Sequence, residues 1–94
     1  MKILHKEYDS TGIFKAYDEN DYQVGEMTYV WAGEKKIIID HTGIKPGYEG
    51  RGIATELVMS AVSFARERGI KITPLCPFAQ AVFMRRPEIN DVKS

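Results

Sequence analysis

Residues 50–54 read Gly-Arg-Gly-Ile-Ala, and this stretch is the most informative feature of the sequence. It follows an apolar segment at residues 36–41 that is typical of a strand, and it opens a helical pattern that extends to Arg68. The first turn of a helix has N–H groups without intrahelical partners and carries partial positive charge, so it attracts anions. Because Gly50 and Gly52 have no side chain, a phosphate can reach this backbone. We therefore predict that the protein binds a phosphate-bearing ligand.

Length and composition indicate one domain that spans residues 1–94. The 13 basic and 13 acidic side chains cancel and no long basic block occurs, so we expect neither a nucleic-acid partner nor a membrane partner. The chain has one cysteine, Cys76, which excludes an internal disulfide. No apolar stretch is long enough to span a bilayer, and residues 1–5 lack the apolar region of a signal peptide. We therefore expect a cytoplasmic location.

The sequence predicts an α/β fold whose strands and helices follow the order ββββαβα. Residues 37–39 are isoleucines without alternation, which predicts a central strand buried on both faces. Apolar residues recur at helical spacing over Ile53–Arg68, and Gly69 is placed to cap this helix in left-handed geometry. A helical crossover makes the strand that follows parallel to the isoleucine strand. The remaining predicted elements are strands at residues 4–8, 13–17, 22–32 and 70–75, and a second helix that begins at Pro77, ends before Pro87 and turns Phe78 and Val82 toward the core.

The longest predicted strand, residues 22–32, carries an aromatic face. Alternation places Met27, Tyr29 and Trp31 together on one face and Val24 on the opposite face. An aromatic stripe can line an acceptor pocket, but it is more often core packing or a subunit contact. We therefore interpret this face as structural.

Residues 44–54 resemble the phosphate-binding signature of the GNAT N-acetyltransferase superfamily, whose members bind acetyl-coenzyme A. The signature is an aliphatic residue that ends a strand, then X-Pro, then Arg/Gln-X-X-Gly-X-Gly/Ala at the start of a helix. Glu49 departs from it, because the superfamily prefers Arg or Gln at that position. The resemblance implies that main-chain N–H groups hold the phosphates, and a changed side chain does not remove those groups. The cofactor-binding residues implied here are Glu49, Gly50, Arg51, Gly52, Ile53 and Ala54.

Three further blocks look like the small single-domain GNAT-like proteins. They are Asp-His-Thr-Gly at residues 40–43, Pro-Leu-Cys-Pro-Phe-Ala at residues 74–79 and Arg-Pro-Glu at residues 86–88, so the resemblance covers nearly the whole chain. It implies a minimal GNAT-like fold with a mixed antiparallel and parallel twisted sheet. It also implies that the later strands, which help to wall the acceptor site in larger members, are missing.

The resemblance also implies a path for the coenzyme. In this superfamily the two parallel strands splay apart, and the pantetheine arm enters between them. By that resemblance the arm runs along the backbone of Thr42, Gly43 and Ile44, whose unpaired groups would otherwise be costly to bury. Arg85 and Arg86 near the end of the second helix are candidates for the 3′-phosphate, because guanidinium groups suit phosphate oxygens.

Cys76 has two interpretations. A free cysteine is usually a small, inert, buried apolar group. Cys76 also lies at or next to the N-cap of the helix that begins at Pro77, where the helix dipole favours a thiolate. In the small proteins that the chain resembles, a cysteine in this Pro-X-Cys context is the proposed catalytic residue, which either takes the acetyl group or protonates the departing coenzyme thiolate. If transfer is direct, a base must take a proton from the acceptor amine, and His41 and Glu26 have suitable chemistry. We take Cys76 and His41 as the catalytic candidates.

Other ligand classes fit the sequence less well. No third glycine completes a Rossmann pattern, and no Gly-Lys-Ser/Thr follows to form a P-loop. No Cys, His and carboxylate spacing indicates a metal. The sequence therefore predicts an acetyltransferase that moves the acetyl group of acetyl-coenzyme A to an unknown amine, as a monomer or weak homodimer. A coenzyme-binding module without turnover and a plain interaction domain stay open as alternatives.

Overall fold

The computed structural model describes all residues, 1–94, and has the predicted order of elements. Helix α1 has the bounds that its apolar periodicity indicates, and Gly69 caps it in left-handed geometry, with φ 67° and its N–H bonded to the carbonyl of Ala65. A 3₁₀ turn that the sequence did not predict follows the second helix. The elements are β1 Lys2–Glu7, β2 Thr11–Tyr17, β3 Gln23–Trp31, β4 Lys36–Ile44, α1 Ile53–Arg68, β5 Lys71–Pro74, α2 Pro77–Arg85 and the 3₁₀ turn Pro87–Val92.

The five strands form one sheet in the order β1-β2-β3-β4-β5. Neighbours among the first four strands are antiparallel, whereas β4 and β5 are parallel, as the helical crossover between them requires. The predicted mixed sheet is therefore confirmed. The C-terminus adds a short parallel bridge between Ile72 and Lys93, which the sequence did not predict.

Helices α1 and α2 cover only one face of this sheet. Ile37 and Ile39 are fully buried beneath them, but Ile38 between the two is only partly buried. The prediction that residues 37–39 are buried on both faces is therefore wrong. Antiparallel strands dominate the sheet, and such sheets commonly leave one face open. Each large apolar side chain that is buried on the covered face stabilises the fold by about 1.5–3 kcal/mol.

A β-bulge corrects the predicted faces of β3. Ala16 pairs with Gly25 and Tyr17 pairs with Gln23, so Val24 has no partner on β2. One extra residue shifts the alternation, and Val24 becomes as buried as Met27 instead of lying on the opposite face. Met27 and Tyr29 are fully buried and Trp31 packs against the core, which confirms the structural interpretation of the aromatic face.

The last elements hold the C-terminal segment on α1 and β5. Arg66 of α1 makes a two-pronged ion pair with Asp91, with nitrogen–oxygen distances of 3.0 and 2.8 Å. That guanidinium lowers the pKa of the Asp91 carboxyl.

Neither helix of the structure combines the length and the apolar character that a membrane-spanning helix needs.

Candidate functional site

Glycines shape the loop between β4 and α1. Gly47, Gly50 and Gly52 all adopt left-handed backbone conformations, with φ of 89°, 76° and 80°. L-residues with a Cβ rarely adopt this region, so the loop conformation depends on glycine. A Cβ built at any of the three would meet no atom within 4 Å. The loop therefore presents bare backbone to open space.

The N-terminus of α1 has no side-chain cap. Gly52 is the N-cap, and the first intrahelical bond runs from the N–H of Glu56 to the carbonyl of Gly52. The N–H groups of Ile53, Ala54 and Thr55 consequently have no intrahelical partner. N–H groups at the positive end of a helix macrodipole are groups to which a phosphate or another anion can bind.

A groove of about 440 Å³ lies directly against this helix end. We call it the α1–α2 groove, because the start of α1 and one side of α2 line it together with the end of β4. Its residues are Ile44, Tyr48, Glu49, Gly50, Gly52, Ile53, Ala54, Thr55, Pro77, Phe78, Ala81, Val82 and Arg85. The structure thus brings together Ile44, Arg85 and most of the glycine-loop residues that the sequence singled out.

Neither Glu49 nor Arg51 of the loop offers a positive charge to the groove. Glu49 departs from the expected Arg or Gln, and its carboxylate accepts a hydrogen bond of 2.9 Å from the N–H of Gly47. The loop backbone therefore holds this carboxylate by a hydrogen bond. The guanidinium of Arg51 lies 4.9 Å from the ring centroid of Tyr48, and Arg51 lines a separate cleft. Arg51 does not line the α1–α2 groove.

The two arginines at the end of α2 lie in different surroundings. Arg85 lines the α1–α2 groove and belongs to none of the ion pairs of the chain. Arg86 makes an ion pair of 3.6 Å with Glu88 and lines the separate cleft with Arg51. Only Arg85 thus presents an unpaired cation to the groove.

Strands β4 and β5 separate halfway along β4. Their pairing ends with Ile39 and Pro74, and the N–H groups of Leu75 and Cys76 both donate to the carbonyl of Ile39. Beyond that point β4 pairs with β3 alone, so residues 40–44 have a free edge on the β5 side. The edge of Thr42, Gly43 and Ile44 is the one that the sequence assigned to the pantetheine arm.

Cys76 is the N-cap of α2 and is buried, with 6% of its surface exposed. Its sulfur accepts a hydrogen bond of 3.5 Å from the N–H of Ala79, as an N-cap side chain does. The sulfur also lies 3.2 Å from the hydroxyl of Thr42, itself buried. Cys76 does not line the α1–α2 groove.

A bulge at Asp40 places the two catalytic candidates on opposite faces of the sheet. Thr28 pairs with His41 and Tyr29 with Ile39, so Asp40 is the extra residue of β4. Plain alternation from Ile39 would turn His41 toward the helices, but the bulge turns Thr42 inward and leaves His41 exposed. The structure does not bring His41 and Cys76 together.

Glu26 lies on the open face of the sheet with His41. It pairs with Gly43 across the β3–β4 ladder, and its carboxylate accepts a hydrogen bond of 3.2 Å from the amide of Gln23. A Cβ built on Gly43 would lie 3.3 Å from Nε2 of His41, which shows that this ring extends along the same face.

Helix α2 contributes groove residues that sequence reasoning missed. Phe78 was predicted to face the core with Val82, but it is 46% exposed and lines the groove. Phe78, Ala81 and Arg85 recur at helical spacing and form one face of α2 toward the groove. This spacing is visible in the sequence, but only the packing of α2 against α1 shows which face meets the groove.

No group of three or more His, Cys, Asp and Glu side chains is arranged to hold a metal ion.

Comparisons with known proteins agree with this fold. A family model described as GCN5-related N-acetyl-transferase matches residues 13–92. Protein NATD1 from Xenopus tropicalis is 30% identical over 61 residues, which are 65% of this chain and 56% of that protein. For human NATD1 the identity is 30% over 61 residues, with 65% and 54% covered. The chain thus spans little more than half the length of these curated relatives.

Solved structures show the same fold. The solution structure of a GCN5-like protein from Staphylococcus aureus superposes with a TM-score of 0.72 at 31% identity and covers 99% of this chain and 87% of that one. The ribosomal-protein-alanine N-acetyltransferase from Brucella melitensis superposes with a TM-score of 0.66 at 19% identity, covering 90% and 64%. At that identity the second likeness shows the fold alone.

Proposed function

The chain belongs to the GCN5-related N-acetyltransferase family, and we propose that it binds acetyl-coenzyme A in the α1–α2 groove and transfers the acetyl group to an amine. The observation that carries this proposal is the uncapped N-terminus of α1, where three N–H groups open into the groove beside bare glycine backbone. A diphosphate would accept hydrogen bonds from these N–H groups and would be stabilised by the positive end of the helix dipole.

The groove offers a partner for each part of the coenzyme. The N–H groups of Ile53, Ala54 and Thr55 would hold the diphosphate, and the unpaired guanidinium of Arg85 would hold the 3′-phosphate. The free edge of β4 at Thr42, Gly43 and Ile44 would pair with the amides of the pantetheine arm, as an added strand does.

Cys76 is the side chain we propose for the acetyl transfer. As a thiolate, its sulfur would form a bond to the acetyl carbonyl carbon while the bond from that carbon to the coenzyme sulfur breaks, and the coenzyme leaves as a thiolate that takes up a proton. An acceptor amine then takes the acetyl group from Cys76, and the amine proton returns to the cysteine sulfur. Alternatively, Cys76 donates its proton to the coenzyme thiolate while the amine attacks directly, with His41 or Glu26 as the base. The hydrogen bond from the N–H of Ala79 supports either role, because it stabilises negative charge on the sulfur.

Intact-mass analysis after incubation with acetyl-coenzyme A tests the proposal. We expect the native protein to gain the mass of one acetyl group and Cys76→Ala to gain none, while both bind coenzyme A in a calorimetric titration. An adduct that persists in Cys76→Ala would refute the cysteine route. A native protein that takes up no heat from coenzyme A would refute the proposed function itself.

A binding module without turnover is the second candidate, and one observation favours it. The thiol of Cys76 is buried and does not line the groove. Tight binding of coenzyme A, with neither an acetyl adduct nor release of free coenzyme in the presence of amines, would select this alternative.

A further inference from the structure

A second cavity, of about 190 Å³, lies on the open face of the sheet where β3 and β4 meet the glycine loop. We call it the open-face cavity. Gly43 and Ile44 of β4 lie between this cavity and the α1–α2 groove, and Ile44 lines both. Gly43 has no side chain, so only backbone divides this cavity from the strand edge proposed for the pantetheine arm.

Two opposite charges line the open-face cavity. Glu26 extends from β3 opposite Gly43, and Lys45 follows β4 two residues beyond Gly43. Two residues along a strand span about 7 Å, so one small molecule can contact both side chains. Neither residue belongs to any ion pair of the chain, although Lys15 lies opposite Glu26 on β2. The amide of Gln23 orients one carboxylate oxygen of Glu26 and leaves the other available.

We propose that the open-face cavity binds the acceptor, and that the acceptor is a small amino acid with a free ammonium and a free carboxylate. Glu26 would bind the ammonium and Lys45 the carboxylate, so that a zwitterion matches both ends of the cavity. A cavity of about 190 Å³ that is open to solvent accommodates a molecule as small as glycine, alanine or serine. A diamine would bring a second ammonium against Lys45, and a protein lysine would leave Lys45 without a partner.

This inference rests on the direct route of the proposed function, in which the acetyl group stays on the coenzyme until the amine attacks, because Cys76 is buried on the covered side of the sheet. The bound ammonium gives one proton to the carboxylate of Glu26, and the resulting amine attacks the acetyl carbonyl carbon. A carbon–nitrogen bond forms, the bond from carbon to the coenzyme sulfur breaks, and the second amine proton passes to the departing coenzyme sulfur. Glu26 then releases its proton to solvent, so the balanced products are an N-acetyl amino acid, a free thiol and one proton.

Calorimetry with three small probes tests the inference directly. L-Alanine carries both charges, L-alaninamide lacks the carboxylate, and L-lactate lacks the ammonium. We expect L-alanine to bind the native protein at least about tenfold more tightly than either analogue, since a lost hydrogen bond to a charged group costs that much or more. Equal affinity for alanine and alaninamide would overturn the proposal, as would no binding of alanine, glycine or serine.

Two variants assign the charges. Lys45→Met should lose the preference for alanine over alaninamide, whereas Glu26→Gln should lose the preference for alanine over lactate. Unchanged preferences in both variants would overturn the assignment. Neither residue lines the α1–α2 groove, so both variants should still bind coenzyme A. A native protein that binds alanine but not coenzyme A would sustain the amino-acid site but refute both its role as acceptor site and the proposed function, whereas a protein that binds coenzyme A but no small amino acid would refute this inference alone.

Discussion

Gly52→Glu places a carboxylate at the N-terminus of α1 and should strongly weaken the binding of coenzyme A. Gly52 has φ of 80° and open space around its Cα, so a side chain there would extend into the α1–α2 groove. Gly33 gives a matched control. It has φ of 79° and equally open space, but it lies in the β3–β4 turn, away from the groove. Gly33→Glu therefore adds the same charge and the same backbone strain elsewhere.

The structure allows both effects to be sized. A non-glycine residue in left-handed geometry costs about 1–2 kcal/mol, so both variants should lose that much stability. For a domain of this size, 1 kcal/mol lowers the Tm by about 4–8 °C. A hydrogen bond to a charged group contributes about 1.5–3 kcal/mol, and the new carboxylate would repel the diphosphate from at least one N–H group and compete for the others. Since each 1.4 kcal/mol is a factor of ten, we expect coenzyme A to bind Gly52→Glu about 100-fold more weakly or worse.

Thermal unfolding and calorimetric titration separate the two effects. Both variants should show a similar fall in Tm, and only Gly52→Glu should lose binding. If Gly52→Glu bound coenzyme A as tightly as Gly33→Glu does, the proposed position of the diphosphate at this helix end would be wrong.

Three further predictions concern the core and the buried sulfur. Burial lowers the pKa of His5, whose ring stacks on an aromatic neighbour with centroids 4.1 Å apart. As the pH falls, this histidine is protonated in the unfolded chain before it is protonated in the folded protein, so the free energy of unfolding in urea should fall as the pH drops below about 6.5. The fall should be weaker in His5→Phe. Gly12→Ala should cost about 3 kcal/mol in the same assay, because its Cβ would lie 2.1 Å from the fully buried ring of Tyr29; an unchanged urea midpoint would contradict this packing. Thr42→Val should slow the acetylation or alkylation of Cys76, because the Thr42 hydroxyl lies 3.2 Å from the sulfur and can donate a hydrogen bond to the reacting thiolate. Thr42→Ser keeps the hydroxyl and should react at the native rate. Equal rates in the native protein and both variants would exclude a role for the hydroxyl.

Helix α1 was predictable from sequence because its local signals agree. Apolar spacing, the glycine before its first turn and the glycine after its last turn all indicate the same bounds, and each acts over a few residues. The exposed backbone that we propose for the diphosphate was predictable for the same reason. It consists of backbone at a helix end, and the glycines that expose that backbone are visible in the sequence.

The two bulges were not predictable, because they depend on how strands pair. The extra residues at Val24 and Asp40 each reverse the side-chain alternation that follows. One such reversal buries Val24, and the other separates His41 from Cys76. Groove residues of α2, such as Phe78, depend likewise on packing between two helices rather than on any local signal.

A titration of the backbone amide signals by ¹⁵N NMR, with coenzyme A and, separately, with pantetheine, which has no phosphate, tests whether the diphosphate binds at the N-terminus of α1. We expect coenzyme A to shift the amide signals of Ile53, Ala54 and Thr55 as it saturates the protein, and pantetheine to leave them unchanged. Amide signals at this helix end that stay in place while coenzyme A saturates the protein would show that the diphosphate binds elsewhere.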